Sequence, residues 1–131
     1  ALPISQITRN GGDHPMESYD GKSLYYYARR GEASIWKQDL TSNVAAPVGG
    51  ITQMANWAFG SMHLYWTDPS RTKLLRAPLS GGEPELLYDI PPELKPGTSG
   101  TNIAVPENES SLWIRPVGEA RSHVVVVHNF R

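Results

Sequence analysis

Ser99, in Gly97-Thr98-Ser99-Gly100, is the serine whose surroundings most resemble those of a nucleophile. The G-x-S-x-G spacing that lifts such a serine onto a strained strand-to-helix turn is absent, and no helical pattern follows, so Ser99 reads as a loop residue. Histidine is the other type suited to acid-base work or metal ligation. His14, His63, His123 and His128 are scattered. The five-residue gap between the last two places them on opposite faces of any strand that carries both. They read as surface or core residues, and neither a metal nor another cofactor is expected. Gly21-Lys22 has no glycine five positions before Gly21, so it is not a phosphate-binding loop. Asn108-Glu109-Ser110 has the form of a glycan acceptor in secreted eukaryotic chains and reads here as a polar turn. With no cysteine, thiolate chemistry and disulfides are excluded. Four tryptophans and six tyrosines could stack on sugars or bases. Most fall inside expected strands, where core packing is the better reading, and Trp57 is the exception with the best position for contact.

The elements that must position these residues are short. Twelve glycines and eleven prolines among 131 residues exceed the usual share of about 12% and call for frequent turns. Turn residues interrupt β-branched and aromatic runs every eight to twelve positions, and no helical period is sustained. Glu85 to Leu94 comes nearest to a helix. Pro91 and Pro92 would break it, so a strand followed by a loop is expected there. Twelve basic against thirteen acidic residues leave a net charge of −1, so no broad field draws in nucleic acid or an anionic membrane. No apolar run nears the ~20 residues that span a bilayer, and a soluble chain is expected. It starts at Ala1 rather than at a methionine, as a processed protein or an excised piece would.

One pattern occurs three times. Ser23-Leu24-Tyr25-Tyr26-Tyr27, His63-Leu64-Tyr65-Trp66 and Ser111-Leu112-Trp113-Ile114 each open an apolar run after a turn, with 40 and 48 residues between successive leucines. A further strand follows each leucine by 10 to 12 residues, at Ile35-Trp36, Leu74-Leu75 and Val124-Val125. A period near 40 made only of strands points to four-stranded propeller blades. Consecutive apolar residues in Leu24 to Ala28 and in Leu64 to Trp66 predict sheets covered on both faces. Blade one is expected over about 9–48, with strands Pro15 to Ser18, Ser23 to Ala28, Ser34 to Leu40 and Val44 to Val48. Blade two covers about 49–90, with Met54 to Phe59, His63 to Thr67, Lys73 to Leu79 and Glu85 to Asp89. Blade three covers about 91–131, with Asn102 to Val105, Ser111 to Pro116 and His123 to Phe130. Its missing fourth strand is matched by a surplus one at Leu2 to Thr8.

Gln6-Ile7-Thr8-Arg9-Asn10-Gly11-Gly12-Asp13, followed by Ser18-Tyr19-Asp20-Gly21-Lys22-Ser23-Leu24-Tyr25 and Ile35-Trp36, resembles the TolB-like (WD40-like) propeller repeat. Tyr19 replaces that family's usual proline. Pro78-Leu79-Ser80-Gly81-Gly82-Glu83-Pro84 looks like the family's turn between third and fourth strands. The closing Val125 to Arg131 looks like the last strand of propellers fused to bacterial winged-helix regulators. Tyr65-Trp66-Thr67-Asp68 is similar to the signature of six-bladed YWTD propellers; it occurs once, and we read it as convergent.

The expected architecture is therefore all-β: one domain over 1–131 of three four-stranded antiparallel blades, half of a six-bladed ring. A second chain or missing sequence would complete it. In a homodimer, Leu2 to Thr8 would pair with His123 to Phe130 of the partner. The resemblance to TolB-like propellers implies a non-catalytic scaffold of bacterial type, cytoplasmic or periplasmic, that binds a protein or peptide at the loops around the channel mouth. Asp13, His14, Asn56, Trp57 and Asn102 are the expected contact residues. A sensory domain of a winged-helix regulator and a propeller hydrolase or lyase are the alternatives. Neither nucleic acid nor membrane is an expected partner of this chain alone.

Overall fold

Leu64, Tyr65 and Trp66 are all buried although they follow one another along one strand. Successive side chains of a strand point to opposite faces, so the sheet they belong to is covered on both sides. The computed structural model describes residues 12–30, 33–48, 54–97, 102–117 and 125–128. Eleven strands and one short 3-10 turn are found among them. The chain divides into two compact units, residues 1–52 and 53–131.

The first unit holds one antiparallel sheet: β1 (Asp13–Glu17), β2 (Ser23–Arg30), β3 (Ala33–Asp39) and β4 (Ala45–Pro47), neighbours in chain order. The turn between β1 and β2 forms because Asp20 Oδ1 accepts from the Lys22 amide at 2.9 Å and from the Ser18 hydroxyl at 2.6 Å. Gly21 supplies the positive φ of 72° that the turn needs. β1 starts earlier than the sequence indicated and is irregular, with a register shift between Asp13 and Met16 and a φ of 50° at His14.

The second unit holds two antiparallel sheets. One contains β5 (Trp57–Phe59), β6 (His63–Thr67), β7 (Lys73–Pro78) and β8 (Glu85–Asp89); the other runs β11 (Val125–Val127), β10 (Leu112–Ile114), β9 (Ile103–Ala104). β5 is shorter than the expected Met54 to Phe59, because the Asn56 amide donates to the Thr67 hydroxyl instead of to a ladder carbonyl. A single 3-10 turn, Pro92–Leu94, interrupts the expected loop after β8. Proline is tolerated at its start, where backbone amides have no partner within the turn. Ala58, Tyr65 and Leu74 of the four-stranded sheet, with Ile90 just after β8, pack against Ile103, Leu112 and Ile114 of the three-stranded one, and this is the core of the unit. Leu2 to Thr8, the expected supplementary strand, lies outside the described residues, as do His123 and Phe130 at the ends of the expected last strand. Among the described residues no helix is long and apolar enough to cross a membrane.

Candidate functional site

Antiparallel register brings the start of β5, the end of β6, the start of β7 and the end of β8 to one end of their sheet. Asn56 stands there at the foot of β5, fully buried. Its Nδ2 donates to the Gly97 carbonyl at 3.0 Å and to Thr67 Oγ1 at 3.4 Å. Its Oδ1 accepts from the Asn102 amide at 3.3 Å and from Asn102 Nδ2 at 3.2 Å. A buried amide that finds this many partners stiffens what it joins. Here it joins β5 and β6 to the connection that leads into β9. Arg71 adds a second tie to that connection, donating from Nη1 to the Pro96 carbonyl at 3.0 Å. The neighbouring β6 to β7 turn is built on Asp68, which accepts from the amides of Thr72 and Lys73 and from the Ser70 hydroxyl. Burial pushes the Asp68 carboxyl up, but these donors outweigh it and hold the group below its usual range. Pro69, Ser70 and Thr72 are exposed around it.

Of the five expected contact residues, Asn56 and Asn102 are therefore brought together, with their polar groups directed inward. Trp57 follows Asn56 in sequence and is also buried, stacked on Phe59 with ring centroids 6.4 Å apart. Asp13 and His14 are exposed on β1 in the other unit.

Sequence reasoning passed over the opposite end of the same two sheets. Glu109, in the turn between β9 and β10, is buried and has a φ of 57°. Its Oε1 accepts from the Tyr65 hydroxyl at 2.5 Å and lies 2.8 Å from His63 Nδ1, while Oε2 accepts from the Met62 amide at 2.8 Å. Gly60 makes room for it: a Cβ there would sit 2.2 Å from Glu109 Cγ. Tyr65 is held protonated, its ionisation pushed up first by burial and then by the carboxylate it donates to. The carboxylate fixes the His63 ring and clasps one sheet to a turn of the next. No group of three or more possible metal ligands occurs among the described residues. The only hint in the sequence is a glycine at position 60, because residues 62, 63 and 65 lie more than forty positions from Glu109.

Separate antiparallel sheets of three or four strands, neighbours in chain order, are what a propeller is made of, and the solved structures agree. The chain is similar to a chain of the nidogen/laminin complex, with a TM-score of 0.58 and 16% identity, over 82% of this chain and 40% of that one. It is also similar to the oligogalacturonate lyase of Vibrio parahaemolyticus, with a TM-score of 0.59 and 14% identity, over 87% of this chain and 36% of that one. Both are propellers, the first of YWTD type. The chain thus has a β-propeller-like fold and spans about two fifths of the length of these neighbours. No family model and no curated protein matches its sequence.

Proposed function

We propose that the chain is a non-catalytic propeller scaffold that binds a protein or peptide through the loops at the Asn56 end of its sheets. The observation that carries this is the bracing of those loops. Asn56 and Arg71 tie the connection through Pro96 and Gly97 to the β5–β8 sheet, and Asn102 extends the tie to β9. A surface already ordered before contact loses less conformational entropy on binding, and loops on a rigid scaffold are a usual place for recognition. The buried residues set the shape of the platform, and exposed neighbours such as Pro69 touch the partner.

The test is to pan a random peptide library on the immobilised chain and measure the selected peptides by calorimetry. Pro69→Glu is expected to weaken them about tenfold or more while leaving thermal unfolding unchanged. Selected peptides that bind this variant as tightly as the parent would remove the loop end from consideration.

A further inference from the structure

Trp113 holds the place in β10 that Tyr65 holds in β6, each following the leucine that opens its repeat. Their surroundings differ. Tyr65 is fully buried against the three-stranded sheet, whereas Trp113 is 48% exposed. Register sets Ala104 on one side of Trp113 and Val126 on the other. Ala104 is exposed and Val126 is 40% exposed. Two and four residues further along β10's direction, Arg115 and Val117 are exposed as well. The Trp113 ring is not loose, since its Nε1 donates to Ser111 Oγ at 3.0 Å. The reverse side of this sheet, Ile103, Leu112 and Ile114, is buried in the core. A sheet apolar on both sides is one built to lie between two others, and an open apolar row of this kind marks an interaction surface.

We infer that a second copy of this chain covers the Trp113 row with its own β1–β4 sheet. The repeat identifies the complementary surface. Tyr65 is covered by the face carrying Leu112 and Ile114, and the corresponding residues of the first repeat are Leu24 and Tyr26. Trp36 lies opposite Tyr26 in that sheet; Tyr26 is itself buried, and Leu24 and Trp36 on the same face are half-buried. The exposed acid Glu17, paired in register with Leu24, stands on the same face as a counter-charge for Arg115. Two-fold symmetry makes each contact twice and so closes the assembly.

Size-exclusion chromatography with light scattering on the 131-residue chain reads this directly. A particle of twice 14.5 kDa is expected at micromolar concentration, and Trp113→Arg is expected to raise the dissociation constant at least a hundredfold. A parent chain that stays monomeric up to 100 µM overturns the inference, as does a Trp113→Arg dimer of undiminished affinity. Since the chain has no cysteine, a second measurement works without that variant. Trp113→Cys and Leu24→Cys chains are mixed and treated with a bis-maleimide of about 10 Å reach, the distance between facing sheets. Mixed cross-linked pairs are expected. Cross-linking of Trp113→Cys chains only to one another would show like faces meeting and would also overturn the assignment.

Discussion

The Tyr65 hydroxyl donates to Glu109 Oε1 at 2.5 Å, tying the second strand of one sheet to a turn of the next. Tyr65 ionises only far above its ordinary range, because it is buried and faces a carboxylate, so it remains a donor throughout the physiological range. Glu109 answers three donors at once, the buried Tyr65 hydroxyl, the half-buried His63 ring and the Met62 amide, and its removal takes that acceptor from each.

Glu109→Ala is therefore expected to lower stability by at least ~2 kcal/mol, since each buried polar group left unsatisfied costs about 1–3 kcal/mol. Glu109→Gln keeps one acceptor oxygen but turns an NH2 toward a donor, and is expected to fall between the parent and the alanine variant. Urea unfolding followed by tryptophan fluorescence gives both values.

Gly60→Ala places a methyl group where Glu109 Cγ now lies. It is expected to be destabilising in the parent and much less so when Glu109 is already alanine. A double-mutant cycle should show coupling of about 1–2 kcal/mol, within the range for residues in direct contact. Additive effects would mean the two residues do not meet.

Asn56→Asp keeps the shape of the side chain and replaces its Nδ2 donor by an oxygen facing the Gly97 carbonyl. A loss of about 2–3 kcal/mol is expected from the unsatisfied acceptor and the repulsion. Amide hydrogen exchange is the more local measurement. Asn56→Ala should speed exchange at Asn102, whose amide donates to Asn56 Oδ1, well before amides of β6 are affected.

Acid should weaken the fold through its turns. Asp20 is held below its usual range by the Ser18 hydroxyl and the Lys22 amide, Asp39 by the amides of Ser42 and Thr41, and Asp68 by its turn donors against burial. A carboxylate whose folded value is lowered stabilises the native state above its unfolded value near ~3.9, and that contribution is lost as pH falls through the folded value. Urea midpoints should drop between pH 5 and pH 2, and Asp68→Asn should make that decline shallower.

The second repeat was the most legible part of the fold. His63 to Thr67 and Glu85 to Asp89 were readable to the residue, because apolar runs bounded by Asp-Pro, Gly-Gly and Pro-Pro state where a strand must stop. β5 was overextended, since nothing local reveals that Thr67 Oγ1 takes the Asn56 amide. The loop residues Asn56 and Asn102 were legible as neighbours at one end of their sheets, but not as a buried pair. Trp57 was expected as a contact residue on the first strand of its blade; it shares a face with Phe59, two positions on, and packs inside with it. Beyond the glycine at position 60, Glu109 gave no signal, because its partners come from another repeat and local turn and strand patterns do not reach that far along the chain.

What the sequence determined by itself was local: strand direction, turn positions and the threefold recurrence, all of which follow from backbone geometry and from glycine, proline and aspartate acting within a few residues. Tertiary structure decided which of two equally apolar faces is covered. Tyr65 and Trp113 occupy the same position in their repeats, and one is buried while the other is half exposed. Burial depends on what lies about 10 Å across the sheet-to-sheet gap, and that neighbour is supplied by residues far away along the chain.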